Sequence, residues 1–162
     1  MVPTINFRVG YGYDAHRFAP KRKLILGGVH VPYEQGLDGH SDADVLVHAV
    51  CDALLGALAL GDIGRHFPDT DPAYKGIDSL ILLKKTGELI ARQGYRVGNI
   101  DVSLRMQKPK IASYVPAMQN NLAQALGVES GQISVKATTT EEMGFEGRGE
   151  GASASAVALV WK

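Results

Sequence analysis

Residues 45–60, VLVHAVCDALLGALAL, are the longest apolar run in the chain, and His48 and Asp52 interrupt it. A helix that is apolar nearly all round has no solvent face, so it must be surrounded by other elements. The run is too short to cross a bilayer, which takes about 20 residues. A core must therefore be built around this helix, and a chain of 162 residues can supply one. Ser41 or Asp42 is the expected N-cap, with acidic residues in the first turn and Gly61 just past the end.

The flanking segments supply that core. Residues 5–13 read as a strand with Ile5, Phe7, Val9 and Tyr11 alternating, a pattern suited to packing on a core. KLILGGVHVPY reads as a strand, a bend at Gly27-Gly28 and a second short strand. Asp78 or Ser79 caps a helix to about Gln93, with Leu80, Leu83, Gly87 and Ile90 or Ala91 on one face. YRVGNIDVSLRM is a strand with a bulge at Gly98-Asn99. Residues 113–126 form a helix ended by Gly127, and ISVKATT and ASASAVALVW are the last strands. The order β-β-β-α-α-β-α-β-β predicts one α+β domain over residues 1–162. Its mixed sheet is of four-stranded type, with helices packed on one face.

The chain carries 17 basic and 17 acidic residues, for no formal net charge. That balance argues against a broad electrostatic surface for nucleic acid or membrane, and mildly favours self-association. Cys51 is the single cysteine, so neither an intrachain disulfide nor a cysteine zinc cage can form, and a buried, unreactive thiol in a reducing cytosol fits. The N-terminus lacks the pattern of a secretory signal. A bacterial cytosol is the simpler setting; a plastid chain shorn of its transit peptide is the other.

The polar residues gather at a few places. In GYGYDAHRF, Asp14 and His16 are spaced i, i+2, so on extended backbone they point the same way, here at the expected end of the first strand. An imidazole buried without a partner is costly, so His48 needs one. Asp14, His16 and His48 offer two nitrogens and one carboxylate, the ligand count of a catalytic Zn²⁺ with an open fourth position; Mn²⁺ and Fe²⁺ rank behind it. Hydrogen-bonded core histidine and an ordinary turn are the plainer explanations of the same residues. Asp52, one turn beyond His48, is either a hydrogen-bond acceptor for its ring or a polar notch.

His40, Ser41, Asp42 and Asp44 surround the long helix's start, and capping explains all but His40. DIGRHFPDTDPAYKG is a long loop of the kind that often carries function. In KATTTEEMGFEGRGEG, hydroxyls and backbone amides could cradle phosphate, and Glu141 or Glu142 could hold Mg²⁺. Lys108 and Lys110 could neutralise a phosphate, or simply be solvated.

GYDAHRF, the long stretch LGGVHVPYEQGLDGHSDADVLVHAVCDALLGALALGDIGRHFPDTD, and VKATTTEEMGFEGRGEGASASAVAL together resemble the 2-C-methyl-D-erythritol 2,4-cyclodiphosphate synthases over nearly the whole chain. That resemblance implies cyclisation of 4-diphosphocytidyl-2-C-methyl-D-erythritol 2-phosphate with release of CMP, in non-mevalonate isoprenoid synthesis. It implies Asp14, His16 and His48 as zinc ligands and Glu141 as the Mg²⁺ or Mn²⁺ ligand. His40 and Thr139 fall where the family stabilises the transition state.

The same resemblance implies substrate contacts at Asp14, Ala15 and His16, at His40 and Ser41, and at Asp62, Ile63 and Gly64. A second loop contributes Phe67, Pro68, Asp69, Thr70 and Asp71. The cytidine diphosphate pocket would be Met106, Gln107, Lys108, Pro109, Lys110, Ile111 and Ala112 with Thr138, Thr139, Thr140 and Glu141; Phe145 and Arg148 are substrate-side positions. Met106 departs from the small residue common in the family. The family is a homotrimer with active sites between subunits and a central apolar channel that can hold an isoprenoid diphosphate near Arg148 and Glu150. Two other readings use the same residues: a metal-dependent phosphohydrolase, and a non-catalytic trimer that binds nucleotides or isoprenoid diphosphates.

Overall fold

The computed structural model describes residues 6–162; Ile5, the expected start of the first strand, lies outside them. The apolar run forms helix α1, Val45–Ala57, with ten of its residues buried. Asp44 is its N-cap, accepting from the Val47 amide at 3.1 Å. Neither Ser41 nor Asp42 takes that place, and no acidic residue lies in the first turn. Asp44 wins because its carboxylate is fully buried and also accepts from the Gly27 and Gly28 amides at 3.0 and 2.7 Å.

Strand β1 spans Phe7–Pro20, so it runs well past the expected end at Tyr13. After it come β2 (Leu24–Leu26) and β3 (Val29–Val31), a two-stranded ribbon turning at Gly27-Gly28, then β4 (Gln35–Leu37). Past α1 lie the short α2 (Ile63–His66), then α3 (Ser79–Arg92) and β5 (Arg96–Arg105). Next are α4 (Val115–Leu126), β6 (Ile133–Thr138), the short α5 (Gly144–Gly147) and β7 (Gly151–Trp161). The sequence reading missed β4, α2 and α5, which are three or four residues each and too short to show a period. The bulge falls between Val97 and Asn99, and Gly127 closes α4 in the left-handed region, both as read from the sequence.

Five strands, not four, form the main sheet, in the order β4-β1-β7-β5-β6. It is mixed: β5 and β6 are parallel and the other pairs antiparallel. Helix α1 packs on β1 and β7, α4 on β6, and α3 against both helices. The helices thus cover one face, and one continuous apolar core lies beneath them.

The sequence misleads about which side of β1 faces that core. Phe7, Val9 and Tyr11 point outward and are 62, 58 and 63% exposed. Gly10 and Gly12 face α1, because the helix lies so close that only hydrogen fits. A Cβ on Gly10 would sit 1.9 Å from the Ala53 carbonyl oxygen, and one on Gly12 1.9 Å from that of Ala49. Small residues on β7 (Ala152, Ala154, Ala156 and Ala158) extend the same close approach. Cys51 is fully buried in this layer, and burial pushes its thiol up to about 12.

A candidate metal centre and its neighbouring cavity

Continuing along the helix-facing row of β1, Gly10 and Gly12 give way to Asp14 and His16, in mid-strand rather than at a strand end. Because α1 runs along that row, His48 arrives opposite Asp14. His48 Nδ1 is 3.0 Å from Asp14 Oδ2, His16 Nε2 is 2.8 Å from the same oxygen, and the two nitrogens are 3.3 Å apart. One ligand atom from each residue thus shares a space 4.8 Å across or less.

The hydrogen bonds behind the rings decide what these atoms are. His16 Nδ1–H donates to the Asp38 carbonyl at 2.8 Å, which leaves Nε2 as a bare lone pair. His48 Nε2 is 2.9 Å from Ser79 Oγ, whose own hydroxyl donates to Asp42 Oδ1. Ser79 must therefore accept from Nε2–H, and Nδ1 of His48 is also a lone pair. Two lone pairs and a carboxylate oxygen converging on one point repel one another unless a positive charge sits among them. Ligands at 2.0–2.1 Å in a tetrahedral zinc site lie about 3.3 Å apart, close to the spacing here. The donor set fits the ion. When the rings take up protons in place of a metal ion, they donate to Asp14 instead. Burial opposes ionisation of its carboxyl, yet hydrogen bonds from His16 and His48 and their charge outweigh it and hold the group at about 2. Burial likewise lowers the His16 imidazolium, and Asp14 more than restores it, so the group lies above its ordinary value.

Asp52 does not serve His48. Its Oδ1 accepts from the Ile63 amide at 2.7 Å and so anchors α2 to α1. The ligands open into a 250 Å³ cleft lined also by Gly39, His40, Ser41, Ile63, Gly64, Phe67 and Asp69. Asp62 caps α2 through the Arg65 amide, and Asp71 accepts from the Ala73 amide, so both shape the loop. Pro68 and Thr70 are exposed on it.

A second cavity, of 540 Å³, lies at the β6 edge. Its walls include Met106, Gln107, Pro109, Lys110, Ile111, Ala112, Thr138 and Thr139, two segments the sequence reading grouped together. Lys108, in the same segment, is exposed beside it. Glu141 and Glu142 follow with φ of +54° and +64°, and Thr139 Oγ1 donates to Glu141 Oε1 at 3.3 Å. Thr140 donates to the Met143 carbonyl, a turn contact. Phe145 lies on a further groove with Ala15 and His16, and Arg148 pairs with Glu150 at 2.7 Å.

Registers separate the two sites within one chain. Asp14 pairs with Ala154, Ala154 with Leu104, and Leu104 with Ala137. Three strand spacings put the metal row and the β6 cavity about 14 Å apart. Sequence reasoning also missed Ser79 and Asp38 behind the histidines, because no local pattern announces a contact made 31 or 22 residues away.

A mixed α+β sheet that brings Asp14, His16 and His48 together between one strand and one buried helix defines the class: a single-domain α+β protein with a candidate metal site. The model of the YgbB family matches residues 7–161. The 2-C-methyl-D-erythritol 2,4-cyclodiphosphate synthase of Trichlorobacter lovleyi is 61% identical over 153 residues, covering 94% of this chain and 98% of that protein. The synthase of Syntrophotalea carbinolica is 58% identical over 155 residues, covering 96 and 94%. Among solved structures, a CDP-bound cyclodiphosphate synthase superposes with a TM-score of 0.87 at 34% identity, covering 94% of this chain and 99% of that one. The bifunctional IspDF of Campylobacter jejuni gives 0.94 at 42% identity, covering 98% of this chain and 43% of its own. The chain belongs to the YgbB family, alongside these synthases.

Proposed function

We propose that the chain is a 2-C-methyl-D-erythritol 2,4-cyclodiphosphate synthase acting on 4-diphosphocytidyl-2-C-methyl-D-erythritol 2-phosphate. An oxygen of the 2-phosphate attacks the β-phosphorus, the bridge to the α-phosphate breaks, and CMP leaves. The observation that carries this reading is the convergence of Asp14, His16 and His48 on one point, in a chain 61% identical to a protein of that name.

Asp14, His16 and His48 would hold Zn²⁺, and Glu141 would hold Mg²⁺ or Mn²⁺ with the substrate diphosphate. Bound metal supplies fixed positive charge and Lewis-acid polarisation of phosphate oxygens, which two anionic phosphates need in order to meet. Asp38 and Ser79 keep the two imidazole lone pairs aimed at the ligand space. His40 lines that cleft and Thr139 the β6 cavity, which supports a role for both in hydrogen-bonding the phosphates as charge builds. Ser41, Ile63, Gly64, Phe67 and Asp69 shape the space for the erythritol part. Met106 to Ala112 with Thr138 take the cytidine diphosphate, where Met106, only 6% exposed, forms an apolar wall. No side chain need form a covalent bond: positioning and electrostatics supply the catalysis.

The 14 Å gap supports a homotrimer in which the metal edge of one subunit meets the β6 edge of the next. The exposed Phe7, Val9, Tyr11 and Trp161 on the uncovered sheet face then find cover around a central apolar channel, with room for an isoprenoid diphosphate near Arg148 and Glu150. A cytoplasmic setting accords with the fully buried lone thiol; among the described residues no helix is long and apolar enough to cross a membrane. The test is turnover of the diphosphocytidyl substrate with and without chelator, followed by phosphorus NMR. Cyclic diphosphate and CMP are the expected products. Free phosphate would make the protein a phosphohydrolase, and absence of turnover with zinc bound would make it a binding protein.

A further inference from the structure

The His48 ring is gripped from behind by two helix beginnings at once. Ser79, the first residue of α3, is fully buried, and its Oγ lies 2.9 Å from His48 Nε2. Its hydroxyl proton goes to Asp42 Oδ1, and its backbone amide donates to Asp42 Oδ2 at 3.0 Å. Asp42 Oδ1 also accepts from the Asp44 amide at 3.1 Å, at the start of α1. Asp42 therefore ties the two helix beginnings together, with the Ser79 hydroxyl between it and the imidazole. None of this is ordinary capping: Asp78 caps α3 through Leu80, and Asp44 caps α1 through Val47.

Ser41 Oγ lies 3.1 Å from the same nitrogen, but it is also the acceptor for the Ala43 amide. The Ser79 hydroxyl is the one polarised by a carboxylate. A hydroxyl so engaged can only accept from the ring, which fixes the proton on Nε2 and the lone pair on Nδ1, toward Asp14. The substrate loop is fastened here as well. The Asp42 amide donates to the Ile77 carbonyl at 3.1 Å, and the Gly76 amide to that of His40 at 2.8 Å.

We propose that Ser79, held by Asp42, is the positioning residue of the metal centre: it sets the His48 tautomer and thereby the site's affinity for zinc. The proposal rests on the reading of Asp14, His16 and His48 as a zinc site. Acceptors of this kind behind a ligand histidine are worth 10- to 100-fold in metal affinity, so Ser79→Ala should weaken zinc binding by about tenfold or more.

The measurements are zinc affinity by competition with a chromogenic chelator and the His48 tautomer by ¹⁵N NMR of the zinc-free protein. The wild-type protein should show Nε2 protonated, and the opposite tautomer overturns the proposal outright. Ser79→Thr and Ser79→Val add the same bulk and differ in the hydroxyl alone, so packing damage cancels between them. Thr should bind zinc at least about tenfold more tightly than Val. Equal affinities for Thr and Val, or wild-type affinity in folded Ser79→Ala, would sink it. If the wild-type chain itself takes up no zinc, the metal-site reading fails instead, and the two failures are distinct.

Discussion

Gly12→Ala tests whether the metal centre exists because a helix lies unusually close to a strand. The new Cβ would lie 1.9 Å from the Ala49 carbonyl oxygen and 2.7 Å from the Ala53 amide nitrogen, both backbone atoms that cannot rotate away. Carbon and oxygen settle near 3.2 Å at closest, so α1 must retreat by roughly 1.3 Å. Overpacking of this kind costs typically about 1–3 kcal/mol, and rigid backbone on both sides puts this case at the upper end. For a chain of this size, about 3 kcal/mol lowers Tm by roughly 6–12 °C.

His48 directly precedes Ala49, so the same retreat would stretch its 3.0 Å approach to Asp14 toward about 4 Å, beyond the ligand spacing of a zinc sphere. Zinc affinity should therefore fall together with Tm, although no ligand has been touched. Gly131→Ala, where nothing lies within 4 Å of the added carbon, is the control and should leave both unchanged. Calorimetry and zinc titration of the two variants decide it. A Gly12→Ala protein with wild-type Tm and zinc affinity would refute the close-packing argument.

Four further outcomes follow from the same structure. His48→Ala should abolish zinc binding and nearly all turnover while circular dichroism shows the fold retained; activity in a zinc-free protein would contradict it. Glu141→Gln should lower kcat by tenfold or more at little cost in CMP affinity, read by steady-state kinetics and calorimetric CMP titration. Val9→Asp should leave the subunit folded, since Val9 is 58% exposed in the single chain, but shift the mass measured by light scattering from that of the proposed trimer to that of a monomer. The fourth concerns Asp44, which burial and the neighbouring Asp42 carboxylate push up to about 6 against the pull of three amides. Folded protein then holds this proton in a range where the unfolded chain has lost it. This contribution is complete below about pH 4 and lost as pH rises through 6, by at most about 3 kcal/mol. Urea unfolding of wild type and Asp44→Asn between pH 4 and 8 should show their difference in stability changing across that window; a constant difference would refute it.

Local chemistry was legible in the sequence wherever it was strong and short-ranged. The all-round apolar character of residues 45–60 required a buried helix, and Gly127 marked the end of α4; α1, by contrast, closes at Leu58, short of the expected stop at Gly61. The i, i+2 spacing of Asp14 and His16 put two ligands on one side of a strand. What the chain could not announce was which side. Alternating Phe7, Val9 and Tyr11 look like a core face, but the glycines between them are the face that α1 selects, because packing distance, not hydrophobicity, chose the partner. The same holds for the caps. Ser41, Asp42 and Asp44 are chemically alike as helix starters, and only the position of the Gly27-Gly28 turn gave the cap to Asp44, while α3 drew Asp42 to Ser79. Residue types thus determined the ligands and the elements that carry them. Distances across the fold, set by backbone approach and hydrogen-bond partners dozens of residues apart, determined where those ligands meet and which lone pairs they present.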